Sequence, residues 1–156
     1  MQKKFHNSKA KPEFDQKLLD LARVTRVVRG GRRFRFRAAL VIGNRKGKVG
    51  IGVAKGADVS DAISKAFNKA KKALVNVNID EGTIAHEIRF KYKSARVLLR
   101  PAKKGRGIVA GGAVRPVAEL AGIRDLSAKM VGKGGKITNA QAAIRGLATL
   151  RTRKSK

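Results

Sequence analysis

Arg33-Phe34-Arg35-Phe36-Arg37-Ala38-Ala39-Leu40-Val41-Ile42-Gly43 alternates cation and apolar side chain over its first half and turns wholly apolar over its second. In a strand the side-chain period is two, so Phe34, Phe36, Ala38, Leu40 and Ile42 share one face and Arg33, Arg35 and Arg37 the other. Ahead of it a first strand is expected from about Lys17, running through Val24, Val27 and Val28 to Arg29-Gly30-Gly31-Arg32. The paired glycines there can supply the positive φ of a tight hairpin. Behind it, the turn Gly43-Asn44-Arg45-Lys46-Gly47-Lys48 leads into Val49-Gly50-Ile51-Gly52-Val53, whose alternate glycines leave one face bare for close backbone approach. Three antiparallel strands in meander order follow.

Asp58-Val59-Ser60-Asp61 then reads as a helix N-terminus, and Val59, Ile63, Phe67, Ala70 and Leu74 recur at helical spacing, a stripe that should lie on the sheet. Lys65, Lys69 and Lys72 fall on another face, where an ordinary wet surface and phosphate contact are equally open readings. Asn76–Gly82, with Asp80-Glu81-Gly82 as a turn, marks a boundary. The expected organisation is a basic disordered tail over 1–12, a first domain over 13–78, a second over 79–150 and a basic tail over 151–156. In the second domain, strands are expected over Thr83–Tyr92 and Ala95–Arg100. A glycine-rich loop over Gly105–Gly112, a helix over Ala113–Ala121 stopped by Gly122, and a strand near Asp125–Met130 come next. The last helix is expected to be capped by Thr138 or Asn139, with Ala142, Ala143, Leu147 and Leu150 as its apolar face.

The chain has 156 residues, 38 of them Lys or Arg and 10 Asp or Glu, a net charge of +28. At 42% hydrophobic residues it can bury a core, which excludes a wholly disordered basic tail. Leu21–Ala57, Ile88–Ala118 and Leu126–Lys156 contain no acid at all. Such a charge makes a compact chain repel itself unless a polyanion neutralises it, and nucleic acid is the obvious candidate. A merely solvated basic surface is disfavoured, because mixed-sign charge serves solubility as well. The apolar runs are far shorter than the roughly 20 residues of a membrane helix, and no membrane partner is expected. There is no cysteine, so disulfides and thiolate metal sites are excluded.

Catalysis has little support: His6 and His86 lie apart, and no carboxylates pair on one helix face. No metal, cofactor or enzyme activity is expected. Gly105-Arg106-Gly107-Ile108-Val109-Ala110 matches a dinucleotide fingerprint, with Asp125 following at the usual distance. Pro101, Lys103 and Lys104 intervene where that motif needs a direct strand-to-glycine turn, so the match is set aside. Its glycine amides, lying before a helix, could still receive an RNA phosphate. Phe34 and Phe36, opposite the arginines, read as core residues rather than base-stacking platforms.

One set of residues is more specific. Gly31-Arg32, Phe36, Ala38, Val41-Ile42-Gly43-Asn44, Gly47, Val49-Gly50, Gly52, Asp58-Val59 and Ala62-Ile63 resemble the signature of the bacterial-type family of the fifth protein of the small ribosomal subunit. Gly107–Arg115 and Ala118–Gly122 are similar to that family's second-domain loop and helix. The resemblance implies an α+β chain: an N-terminal double-stranded-RNA-binding-like domain of three strands and a helix, then a second α+β domain whose sheet is backed by two helices, as in a group of ATP-dependent kinases. It further implies ribosomal-RNA contacts at Thr25, Arg26, Arg29, Gly30, Gly31 and Arg32, on a hairpin beside an aminocyclitol antibiotic site. Gly107, Gly111, Gly112 and Arg115 would then belong to a loop at a protein interface that bears on decoding accuracy. Arg33, Arg35, Arg45, Lys46, Lys48 and Lys55 complete the candidate RNA-binding set.

The expected function is thus a structural, cytoplasmic constituent of the small subunit that binds ribosomal RNA, supports assembly and contributes to decoding accuracy. Its implied partners are small-subunit ribosomal RNA, the fourth and eighth small-subunit proteins, and messenger RNA where it enters. The alternatives are a free-standing double-stranded-RNA or DNA-binding protein and a nucleotide-using enzyme built on the second domain. The enzyme lacks a phosphate loop and catalytic acids.

Overall fold

Alternation of cation and apolar residue builds the element that organises the chain. The computed structural model describes residues 13–151, so the expected tail over 1–12, and that over 151–156 apart from Arg151, lie outside the described residues. β1 (Asp15–Val28), β2 (Gly31–Gly43) and β3 (Lys48–Gly56) form the expected antiparallel meander. A short β4 (Leu74–Asn76) adds to the free side of β3 as a fourth strand. Arg29 and Gly30 make the β1–β2 turn, with Val28 paired to Gly31. Of the two glycines, only Gly31 has a positive φ, 133°. The unusual backbone therefore lies at the first residue of β2 and not within the turn.

α1 (Val59–Lys72) starts where expected, although Asp58 makes no side-chain cap bond. Asp61 does the local work instead: its Oδ2 accepts from the Lys65 ammonium at 2.7 Å and from the Ala57 amide at 3.3 Å. The Lys65 hydrogen bond holds this carboxyl below its ordinary range. Ala62, Ala66 and Ala70 are the buried residues of the helix, and they face Gly50, Gly52 and Gly56. A Cβ at Gly52 would collide with the Ala66 carbonyl oxygen, and one at Gly50 would stand 2.7 Å from that of Ala70. The expected stripe is therefore rotated. Glycines bring the helix so close that only methyl side chains fit at the contact line, while Ile63, Phe67 and Leu74 flank it half-buried.

The apolar half of β2 is covered on both faces. Ala38, Leu40 and Ile42 pack under α1, whereas Val41, with Val49 of β3, joins a core built from the second half of the chain. That half contains β5 (Ile88–Tyr92), β6 (Ala95–Pro101), β7 (Ile108–Val109), α2 (Val114–Ala121), β8 (Leu126–Met130) and α3 (Lys136–Ala148). Its sheet runs β5-β6-β8-β7, with β7 parallel to β8. α2 and α3 lie between the two sheets, so the layers are α1, first sheet, α2 with α3, second sheet. Each Val, Leu or Ile fully buried in these interfaces contributes about 1.5–3 kcal/mol.

Three expectations in this half are corrected. The strand expected from Thr83 starts only at Ile88, because the Glu81-Gly82 turn, with φ of 46° and 89°, draws Thr83 into paired backbone bonds with Asp80. Thr83 Oγ1 then donates to the Asp125 carbonyl at 2.7 Å. α3 starts at Lys136, so neither Thr138 nor Asn139 caps it. From inside the helix Thr138 Oγ1 donates to the Gly135 carbonyl at 2.9 Å and Asn139 Nδ2 to that of Gly134 at 2.7 Å. β7 joins the sheet from within the expected glycine-rich loop. Gly122, at φ 96°, ends α2 in the left-handed conformation expected of it. Pro116 is the third residue of α2, in the first turn, where its missing N–H breaks no helical bond.

Candidate nucleic-acid interface

β3 pairs with β2 only as far as Phe36 opposite Gly56, while β1 and β2 continue to Val28 opposite Gly31. Val24–Arg35 is therefore a two-stranded ribbon that projects about 17 Å beyond the sheet, at roughly 3.4 Å per paired row. Such a ribbon has no core of its own, and both of its faces are open.

Register assigns the side chains. Val24 is opposite Arg35, Arg26 opposite Arg33 and Val28 opposite Gly31, which puts Arg26, Arg33 and Arg35 on one face. Lys55, opposite Arg37 at the end of β3, lies on that same face. These four cations, with Val24 and Val28, line an open cleft of about 250 Å³. Like charges directly opposite each other across a sheet repel, yet none of the four pairs with an acid among the described residues. Arg37, one row inward, is the last cation to find one, donating to Asp20 at 3.2 Å.

The reverse face carries Arg23, Thr25, Val27, Arg32 and Phe34. Phe34 is 48% exposed, which corrects its reading as a core residue, because neither β3 nor α1 reaches so far along the ribbon. Phe36, one pair inward, packs against the core as expected. The Arg23 guanidinium stacks over the Phe34 ring at 3.7 Å from its centroid. Aromatic and guanidinium planes of this kind are what unpaired RNA bases stack on. Counting back from the Arg29-Gly30 turn places Thr25 opposite Phe34 and Arg23 one pair inward, so this pairing was available from the turn alone. Thr25 and Arg32 lie on this face, and Arg29 and Gly30 form the tip.

Arg45, Lys46 and Lys48 stand at the far end of β2, roughly 30 Å from the tip at about 3.3 Å per residue, and do not join the ribbon cluster. Their turn instead holds the two halves of the chain together. The Arg45 amide donates to the Leu120 carbonyl at 2.9 Å and the Gly47 amide to that of Ala121 at 2.8 Å, satisfying carbonyls that the C-terminus of α2 leaves open. Gly122 packs so tightly here that a Cβ would strike the Arg45 carbonyl. The Arg45 guanidinium pairs with Asp15 at 2.7 Å, and the Lys46 and Lys48 amides donate to Asn44 Oδ1 at 2.8 and 3.0 Å.

The glycine-rich loop is likewise occupied from within. The Gly107 amide donates to the buried Asp125 Oδ1 at 2.7 Å, so it is not free for a phosphate. The Gly111 carbonyl accepts from Val114 and Arg115 at the start of α2, and Gly112 is exposed. Arg115 donates to the Ile108 carbonyl at 3.1 Å and pairs with Glu119 at 3.3 Å. Among the described residues no group of three His, Asp or Glu side chains converges to hold a metal ion, and no helix is long and apolar enough to cross a membrane.

Residues 14–78 match the family described as Ribosomal protein S5, N-terminal domain, and residues 90–156 match Ribosomal protein S5, C-terminal domain. Small ribosomal subunit protein uS5 of Campylobacter jejuni strain RM1221 is 47% identical over 139 residues, 89% of this chain and 95% of the relative. The protein of the same name from Campylobacter jejuni subsp. jejuni serotype O:2 is equally similar, 47% over the same length.

Proposed function

Because the chain belongs to the ribosomal protein S5 family, whose members are structural, non-enzymatic components of the small ribosomal subunit, we propose that it grips small-subunit ribosomal RNA through the β1–β2 ribbon. In this reading it also supports subunit assembly and contributes to decoding accuracy. The carrying observation is the row of Arg26 opposite Arg33, flanked by Arg35 and Lys55, with no acid to relieve it. Folding opposes like charges there at a cost, and phosphates neutralise them with release of counterions.

Thr25, Arg29, Gly30, Gly31 and Arg32 complete the RNA-facing tip. Gly107, Gly111, Gly112 and Arg115, whose loop is held rigid by Asp125 and α2, form the surface through which accuracy is affected. The fourth and eighth small-subunit proteins and entering messenger RNA are proposed neighbours on family resemblance. The units 13–78 and 79–150 are proposed as the two domains, and the cytoplasmic small subunit as the site of action. Arg45, Lys46 and Lys48 remain RNA-contact candidates through their exposed side chains, even as their backbone clamps α2.

Gradient sedimentation of cell extract at physiological salt, with the tagged chain followed by antibody, tests this. Co-migration with the small subunit is expected. A chain found only in the free-protein fractions overturns the ribosomal reading in favour of a free-standing nucleic-acid binder.

A further inference from the structure

The solvent face of the second sheet carries a second cluster of cations. Alternation along β5, β6 and β8 sends Ile88, Val97, Leu99, Leu126 and Ala128 into the core, and so sends Arg89, Lys91, Arg96, Leu98, Arg100 and Lys129 outward. Register places Lys91 directly opposite Arg96, and Leu98 between Arg89 and Lys129.

Glu87 separates these cations into two groups. Its carboxylate accepts from Arg89 at 3.1 Å and from Arg100 at 2.8 Å. Lys91, Arg96 and Lys129 pair with no acid among the described residues. Beside them is an open cleft of about 370 Å³ lined by Leu98, Val131, Arg89, Lys91 and Arg96. Val131 is 69% exposed in it.

From this geometry we infer that Lys91, Arg96 and Lys129 form a second phosphate-binding surface for ribosomal RNA, with Leu98 and Val131 as an apolar seat for a sugar or base edge. The inference rests on the ribosomal-RNA reading above and adds to it a site separate from the hairpin. Adjacent strands lie about 4.8 Å apart, so cations spread over β5, β6 and β8 span about 10 Å. That is comparable with two or three successive phosphates of one strand. An apolar seat ringed by cations suits a polyanion with flat, partly apolar bases, and the directly opposed Lys91 and Arg96 need negative charge on both strands at once.

The test is a salt titration of full-length chain binding to a small-subunit ribosomal RNA transcript, comparing the natural chain with the combined variant Lys91→Gln, Arg96→Gln, Lys129→Gln. All three side chains are exposed, so the thermal unfolding midpoint should not move. Each lost phosphate contact removes about 0.7–0.9 from the slope of log affinity against log salt. The variant's slope should be shallower by about two. A steep natural slope that the variant reproduces overturns this surface and leaves the hairpin reading intact, whereas a flat natural slope overturns the RNA reading itself. A variant with natural slope but impaired incorporation into the subunit assigns the face to a protein partner and overturns the inference.

Discussion

The Gly107 amide donates to Asp125 Oδ1 at 2.7 Å, joining the glycine-rich loop to the residue that precedes β8. Asp125 is 7% exposed, and the Leu126 amide returns a bond to the Gly107 carbonyl at 3.2 Å. Both polar groups of one glycine are thus fixed by consecutive residues of the strand entry. A dinucleotide-binding acid would point at a ribose; this one points at the loop.

Removing that acceptor should loosen the loop. Leaving a mostly buried amide unpaired costs about 1–3 kcal/mol, so Asp125→Ala should lower unfolding stability by that amount in a urea titration. Asp125→Asn, which keeps an acceptor oxygen, should lose less. Equal losses for the two would mean that the hydrogen bond to Gly107 does not hold the loop.

Close approach of α1 makes a second prediction. A methyl at Gly52 would strike the Ala66 carbonyl, which is helix backbone, whereas Gly30 has open space around it. Gly52→Ala should destabilise by about 1–3 kcal/mol, the range for overpacking, and Gly30→Ala should be near neutral. Gly31 is a third case: it has space but sits at φ 133°, so Gly31→Ala should cost about 1–2 kcal/mol through backbone strain alone. Thermal unfolding of the three variants distinguishes clash, strain and neither.

How much of this was readable in sequence depended on range. The alternation from Arg33 and the glycines at 50 and 52 are local signals, and they yield the meander and the helix packed on it. The unbroken run Ala38-Ala39-Leu40-Val41-Ile42 signals a strand buried on both faces, but the second cover, α2, lies more than seventy residues away. Phe34 was misread because local period cannot say where β3 ends; Gly56 pairs with Phe36 and nothing of β3 extends further. Arg45 resembles its neighbours in composition, and only the fold brings Asp15 to it. β7 is two residues long and exists through its parallel pairing with β8.

Exposure of Phe34 yields a test of base contact. Phe34→Ala should change stability little, since the ring lies outside the core. If an unpaired base stacks there, RNA affinity should fall by about 1–3 kcal/mol, the range for a lost base–aromatic stack. Filter binding at fixed salt measures this, and unchanged affinity would leave Phe34 as a partner of Arg23 alone.

Glu87 makes the prediction for pH. The Arg89 hydrogen bond, more than that of Arg100, holds its carboxyl below the ordinary glutamate range despite some opposing desolvation. A depressed pKa means that the ion pairs contribute at every pH above the ordinary range and are lost as pH falls through the lowered value. The side chain is exposed, so the contribution is small. An NMR titration should find the Glu87 midpoint below that of glutamate in an unstructured peptide, and the melting difference between the natural chain and Glu87→Gln should vanish in acid. A midpoint at or above the peptide value would show that neither arginine is engaged.

The central claim is that the ribbon's opposed arginines take RNA phosphates. Its most direct test is the salt dependence of ribosomal-RNA binding by the natural chain and by the combined variant Arg26→Gln, Arg33→Gln, Arg35→Gln. Three lost phosphate contacts should make the slope of log affinity against log salt shallower by about two to three, with the fold intact because all three side chains are exposed. A variant whose slope equals that of the natural chain would contradict the claim, showing that the ribbon's charge does not meet phosphate.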